Sequence, residues 1–158
     1  MIFNIDEVFR IAVQIETNGV KFYTKAALSS TEPKVKQYFM ELADMEKEHI
    51  KIFSEMRKEL IKKEKEESFL DPFDEAKSYL RAFIEGKIFS LNDDPAEKLT
   101  GHESYKDILG IAINLEKESI VFYLGIKKMI PEEYGQDKIR KILDEEMQHI
   151  ALLSKGII

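Results

Sequence analysis

Apolar residues recur at steps of three and four through four long stretches of this chain, prolines stand outside those stretches, and the alternation of a strand pattern is missing. The expected fold class is therefore all-α. Asn4 with Glu7 three residues on resembles a capping box, and Val8, Ile11, Ala12, Ile15, Gly19, Phe22, Tyr23 and Ala26 follow as one stripe, which predicts a first helix from about Ile5 to Leu28. Ser29 to Pro33 supply a turn, a hydroxyl cap, a first-turn acid and a first-turn proline. Val35, Tyr38, Phe39, Leu42, Met45, Ile52, Phe53, Met56 and Leu60 then continue the period as a second helix. Ser104 with Asp107 opens another, striped by Ile108, Ile111, Ala112, Leu115, Ser119, Phe122, Tyr123 and Ile126. After a turn at Pro131, Ile139, Ile142, Leu143, Ile150 and Leu153 define the last long helix, which Gly156 stops.

The pattern repeats at an offset of 100 residues without a gap. Ile11-Ala12 matches Ile111-Ala112, Glu16 matches Glu116, Phe22-Tyr23 matches Phe122-Tyr123, and Glu46, His49 and Ile50 match Glu146, His149 and Ile150. The expected organisation is one domain over 1–158, built from a hairpin at 5–61, a crossover at 62–103 and a second hairpin at 104–155. Within the crossover, Lys62 to Glu67 carry the end of the second helix into solvent, and Asp74 to Gly86 read as a short extra helix with Tyr79, Leu80, Phe83 and Ile84. The rest, through Asn92-Asp93-Asp94-Pro95 and Thr100-Gly101, reads as loop. So long a connection lets the third long helix start at either end of the second, which permits a crossover bundle.

Six repeated polar residues interrupt the stripes. Glu16 is four residues after Ala12 and three before Gly19, and Glu116 lies in the same way between Ala112 and Ser119, so both acids face inward. Glu46 and His49 follow Leu42 at four and seven residues, and Glu146 and His149 follow Ile142 at the same steps; a Glu and a His three apart reach one point from one helix face. Residue 31 is midway between 16 and 46, and residue 131 is midway between 116 and 146. About 22 Å of helix then separates each of these acids from its turn, and four carboxylates and two imidazoles meet at one height. Buried carboxylates repel one another or take up protons, and no Lys or Arg lies on the stripes at that level. Two divalent cations would offset the four charges. One Glu-x-x-His alone is an ordinary surface accident; two copies at identical spacing, each with an in-stripe Glu, predict a metal centre of Glu16, Glu46, His49, Glu116, Glu146 and His149.

Composition narrows the chemistry further. The 158 residues hold 24 Lys and Arg against 30 Asp and Glu, a net charge of −6, which gives no basic surplus for nucleic acid. Cysteine is absent, so thiolate centres are excluded and the metal ligands must be carboxylate and imidazole, which suit iron or manganese. The N-terminal residues carry no basic leader and no apolar run is long enough to span a membrane, so no membrane partner is expected and the location expected is cytoplasmic. His102, in a loop without an acid at ligand spacing, is expected to be solvent-exposed. Phe39, Phe53, Phe73 and Phe83 are expected to be packing. For Tyr23 and Tyr123 two readings stand, core rings or hydrogen-bond donors to ligand carboxylates. Glu145 is placed to hydrogen-bond the outer nitrogen of His49, whereas its counterpart Met45 offers His149 no matching acceptor, so the two metals should differ in environment.

Glu16, Glu46-x-x-His49, Glu116 and Glu146-x-x-His149 resemble the rubrerythrin and bacterioferritin branches of the ferritin-like superfamily, across both hairpins but not the segment from about Ile61 to Glu103. The resemblance implies a ferritin-like four-helix bundle holding two iron ions. It further implies an oxidoreductase that reduces hydrogen peroxide or oxidises ferrous iron with oxygen or peroxide, or else a non-catalytic iron or manganese binding or storage protein. A typical rubrerythrin adds a cysteine-ligated rubredoxin domain, absent from this chain, so the electron donor is expected to be a separate protein. The haem-ligand methionine of bacterioferritin falls at Lys47, and no haem is expected. Rubrerythrins also carry an extra ligand glutamate three residues after the third-helix glutamate. Here that residue is Ser119, its first-helix counterpart is Gly19, and Glu118 is turned about 200° away. A six-ligand site follows, in which both irons stay histidine-bound, and Gly19 and Ser119 either open a path for peroxide or oxygen or let two helices approach closely. A homodimer is the expected assembly.

Overall fold

The computed structural model describes residues 4–66 and 75–156. Among these residues are five α-helices: α1 (Ile5–Ser29), α2 (Pro33–Glu66), α3 (Glu75–Asn92), α4 (Tyr105–Met129) and α5 (Gln136–Ser154). α1, α2 and α4 start where the sequence marks a helix N-terminus. The Asn4 side chain accepts the Glu7 backbone N–H at 2.9 Å, Pro33 opens α2, and Ser104 and Asp107 cap each other's backbone reciprocally at the start of α4. Between α4 and α5 the chain makes a 3-10 turn at Glu132–Tyr134 and then reverses at Gly135, whose φ of 104° is the left-handed conformation that glycine adopts at little cost.

α1 and α2 form one antiparallel hairpin, α4 and α5 the other, and α4 starts at the end of the bundle where α1 finishes. Leu109 of α4 accordingly packs in one cluster with Ala27 of α1 and Phe39 of α2. The core is split in two. One apolar cluster takes Phe9 and Ala12 from α1, Phe53 and Met56 from α2, Phe122 and Ile126 from α4, and Ile139 and Ile142 from α5. The other takes Phe22 and Ala26 from α1, Phe39 and Leu42 from α2, Ala112 from α4 and Leu153 from α5. Each of these four helices contributes to both clusters, and in every one the inward Glu or His residues fall between its two apolar segments. The polar layer thus lies mid-bundle, sealed from both ends.

The crossover differs from its sequence reading. α3 continues past Gly86 to Asn92, and Pro95–Lys98, expected as loop, forms a 3-10 turn whose N-cap is Asp94, accepting the Ala96 N–H at 2.9 Å. Gly86 does not stop the helix because it faces open space, with nothing within 4 Å of where a Cβ would stand, so only its modest intrinsic penalty opposes continuation. The crossover lies along the α1/α4 face. Near one end, α3 touches α4 at Gly125, where a Cβ would come within 2.5 Å of Leu80 Cδ2 and 2.7 Å of Tyr79 Cδ1. Near the other end, Lys25, the repeat counterpart of Gly125, donates from Nζ to the Ala96 carbonyl at 2.7 Å. Phe83 of α3 packs against Phe122, centroids 5.2 Å apart. Phe73 lies outside the described residues. No described helix is long and apolar enough to cross a membrane.

Candidate metal centre

Two groups of side chains converge in the polar layer. Glu16, Glu46, His49 and Glu146 form one; Glu46, Glu116, Glu146 and His149 form the other, each residue offering a donor atom within 4.8 Å of the others in its group. Glu46 and Glu146 belong to both and stand where bridging carboxylates would. All six sequence-predicted ligand residues are buried. Both imidazoles turn Nδ1 inward: that of His49 lies 3.4 Å from Glu16 Oε2 and 3.3 Å from Glu146 Oε1. That of His149 lies 3.0 Å from Glu146 Oε2, 3.4 Å from Glu116 Oε1 and 3.6 Å from Glu46 Oε1. The two rings stand 6.3 Å apart, inclined by 26°.

Whether a cation fits can be read from the donor atoms. Glu16 Oε2, Glu46 Oε1, Glu146 Oε1 and His49 Nδ1 are buried without a hydrogen-bond partner, although each has polar neighbours within a few ångström. Four orphaned lone-pair atoms facing one interior are expensive unless a positive centre takes them up. The set is carboxylate oxygen with some imidazole nitrogen, the donor chemistry of iron and manganese. Electrostatics agree. Burial and then the neighbouring carboxylates push Glu46 and Glu146 well above the ordinary carboxylate range. Burial also pushes Glu16 up, but the close approach of Glu46 and His49 and the Tyr123 hydroxyl outweigh it and hold that group below its usual value. His49 rises to about 8, because Glu16 and Glu145 together overcome the opposing effect of burial.

The two tyrosines act on the carboxylates. The Tyr23 hydroxyl donates to Glu116 Oε1 and that of Tyr123 donates to Glu16 Oε1, each reaching across to the opposite hairpin. Burial and the adjacent carboxylates raise both phenols well above their ordinary value, so they remain neutral donors. Sequence periodicity places each ring on the inward face but carries no sign of this exchange of partners. Glu145 Oε2 stands 2.7 Å from His49 Nε2. At the repeat position, Met45 is not merely a missing acceptor: its Sδ sits 3.3 Å from His149 Nε2.

Gly19 and Ser119 both line one cavity beside the centre. A Cβ on Gly19 would stand 3.1 Å from Glu46 Oε2, so the absence of a side chain leaves that carboxylate its place. A cavity of about 230 Å³ opens over these two residues, reaching inward to Glu46, Glu116 and Tyr23 and outward to Phe83, Pro95 and Lys98 of the crossover. Glu118 belongs to neither ligand group, in line with its offset from Glu116, although it is among the residues that line this cavity. His102 is exposed and joins neither group, and Lys47 is exposed, paired with Asp44 at 2.9 Å.

The rubrerythrin family model matches residues 7–94, which carry the whole first hairpin's ligand set and most of the crossover. The chain belongs to the rubrerythrin family. This rubrerythrin-family chain also shares its fold with a crystallised candidate ferritin-like diiron-carboxylate protein from Thermotoga maritima, at 24% identity and a TM-score of 0.68, over 96% of this chain and 93% of that one. No curated protein matches it. Family and geometry together give a metal-binding helical bundle of ferritin-like type.

Proposed function

We propose that this rubrerythrin-family protein is a di-iron redox enzyme that reduces hydrogen peroxide to water with electrons from a separate donor protein. The observation that carries the reading is the conjunction of two ligand groups sharing Glu46 and Glu146 with a cavity that reaches those groups over Gly19 and Ser119. In this reading Glu16 and His49 would hold one metal, Glu116 and His149 the other, and Glu46 and Glu146, common to both groups, would serve both. Manganese fits the same donors. Two ferrous ions held there would each supply one electron, and H₂O₂ with two electrons and two protons gives two molecules of water.

The chain's own residues set the conditions. Tyr23 and Tyr123 keep Glu116 and Glu16 oriented and stay neutral while doing so. The apolar clusters above and below close the polar layer at both ends of the bundle. Glu46 and Glu146, which retain protons more readily than ordinary carboxylates, exchange those protons for cations on loading. Ferrous oxidation by oxygen uses the same centre and is separated by experiment.

Metal analysis after anaerobic loading should give two irons per chain, and anaerobic stopped-flow should show one peroxide consumed per two ferrous ions, faster than oxygen is consumed. Gly19→Leu should slow the peroxide reaction with iron content retained. Reduced, loaded protein that leaves peroxide unconsumed would overturn the enzymatic reading. Uptake far beyond two irons per chain would instead indicate storage.

A further inference from the structure

The two ligand groups share two carboxylates but differ on both sides of their remaining members. Behind His49 stands the Glu145 carboxylate, 2.7 Å from Nε2. Behind His149 stands the Met45 thioether, with Sδ 3.3 Å from Nε2. A carboxylate accepts the outer N–H strongly, fixes the ring with its lone pair on the inward Nδ1 and makes that nitrogen a better donor to a cation. A thioether is a weak, uncharged acceptor and does this poorly. On the outer carboxylates the same asymmetry recurs. Glu16 is wholly buried and stands apart from the cavity, whereas Glu116 forms part of its wall. Weak support and open access therefore coincide on one group, strong support and enclosure on the other.

We propose that the centre has a retained cation position at Glu16 and His49 and an exchangeable one at Glu116 and His149, and that the exchangeable position is filled, emptied and approached by small ligands through the cavity over Gly19 and Ser119. The inference rests on the metal-binding reading above. Met45 and Glu145 are positioning residues that set the difference, and loss of such an outer hydrogen bond to a ligand histidine typically weakens metal binding about 10–100-fold.

Repulsion between two cations would separate two binding steps even in a symmetric centre, so the test must show which position fills first. Metal-free full-length protein is titrated with Co²⁺ and followed by visible absorption, which reports each ligand field, and release into a chelator is then timed. In Glu116→Gln the first equivalent should bind as in the wild type and the second should be lost. In Glu16→Gln the tight step should disappear. Met45→Glu should tighten the second step by about 10–100-fold, and Glu145→Met should weaken the first by a similar factor. The two exchanges are independent, so failure of one variant to fold, seen by circular dichroism, leaves the other decisive. Equal effects of Glu16→Gln and Glu116→Gln, or a gap between steps that neither exchange alters, would overturn the assignment while leaving the metal centre intact. A wild-type protein that binds no Co²⁺ would overturn both.

Discussion

Replacing Tyr123 with Phe removes a single oxygen from the middle of the bundle. That hydroxyl donates to Glu16 Oε1, on a residue with no solvent exposure whose other oxygen has no hydrogen-bond partner. A hydrogen bond to a charged group contributes about 1.5–3 kcal/mol, and the orphaned acceptor has no water to replace its donor. At about 2–4 °C per kcal/mol for a domain of this length, the melting temperature of metal-free protein should fall by about 3–12 °C, towards the lower figure because Glu16 relieves part of the loss by taking up a proton. Metal affinity should fall about tenfold or more, since the tyrosine also fixes the carboxylate's orientation. Tyr38 is the control. Its hydroxyl is buried with no partner, and burial, followed by the fields of Glu116, Glu41 and Tyr105, raises it to about 12. Tyr38→Phe removes only an uncompensated desolvation cost and should be neutral or stabilising by up to about 1 kcal/mol. Urea denaturation in the presence of chelator measures both. Equal shifts of the same sign in the two variants would refute the claim that the Tyr123 hydroxyl is a structural donor to Glu16.

Because Glu46 and Glu146 hold protons well above the ordinary carboxylate range, a cation displaces those protons on binding. Calorimetry in buffers of different ionisation heat should show net proton release on metal binding, with affinity rising as pH rises; a buffer-independent heat would contradict it. The exposed Glu103 carboxylate accepts the Thr100 N–H at 2.6 Å, the Thr100 hydroxyl at 2.8 Å and the Gly101 N–H at 3.0 Å, which together depress it to about 2. A depressed acid stabilises its loop above its unfolded value of about 4.3 and loses that contribution as pH falls through the folded one, so the Thr100 and Gly101 amide resonances should titrate near pH 2, and a midpoint near 4 would show that the clasp does not form in solution.

The inward position of Glu16, Glu46, His49 and their counterparts was legible because helical period and the 100-residue repeat both act within single helices. What lay between helices was not. Which carboxylate Tyr23 bonds depends on the side-by-side placement of α1 and α4, and that follows from the crossover's path, not from any stripe. The Met45 contact with His149 is not visible in the sequence because a thioether does not register as an acceptor in a search for paired acids. The extent of α3 was hidden because a glycine breaks a pattern on paper whether or not its side of the helix touches anything, and Gly86 touches nothing.

The division of the core into two apolar clusters gives the protein an unusual kind of independence from its cargo. In a zinc finger the metal takes the place of a core, and its removal unfolds the chain. Here all four bundle helices are clamped above and below the polar layer, like a span fixed at both piers, so the charged midsection is held open by structure that does not need it filled. A cation that binds there meets a scaffold already in place, so loading needs little rearrangement of the helices that hold the ligands.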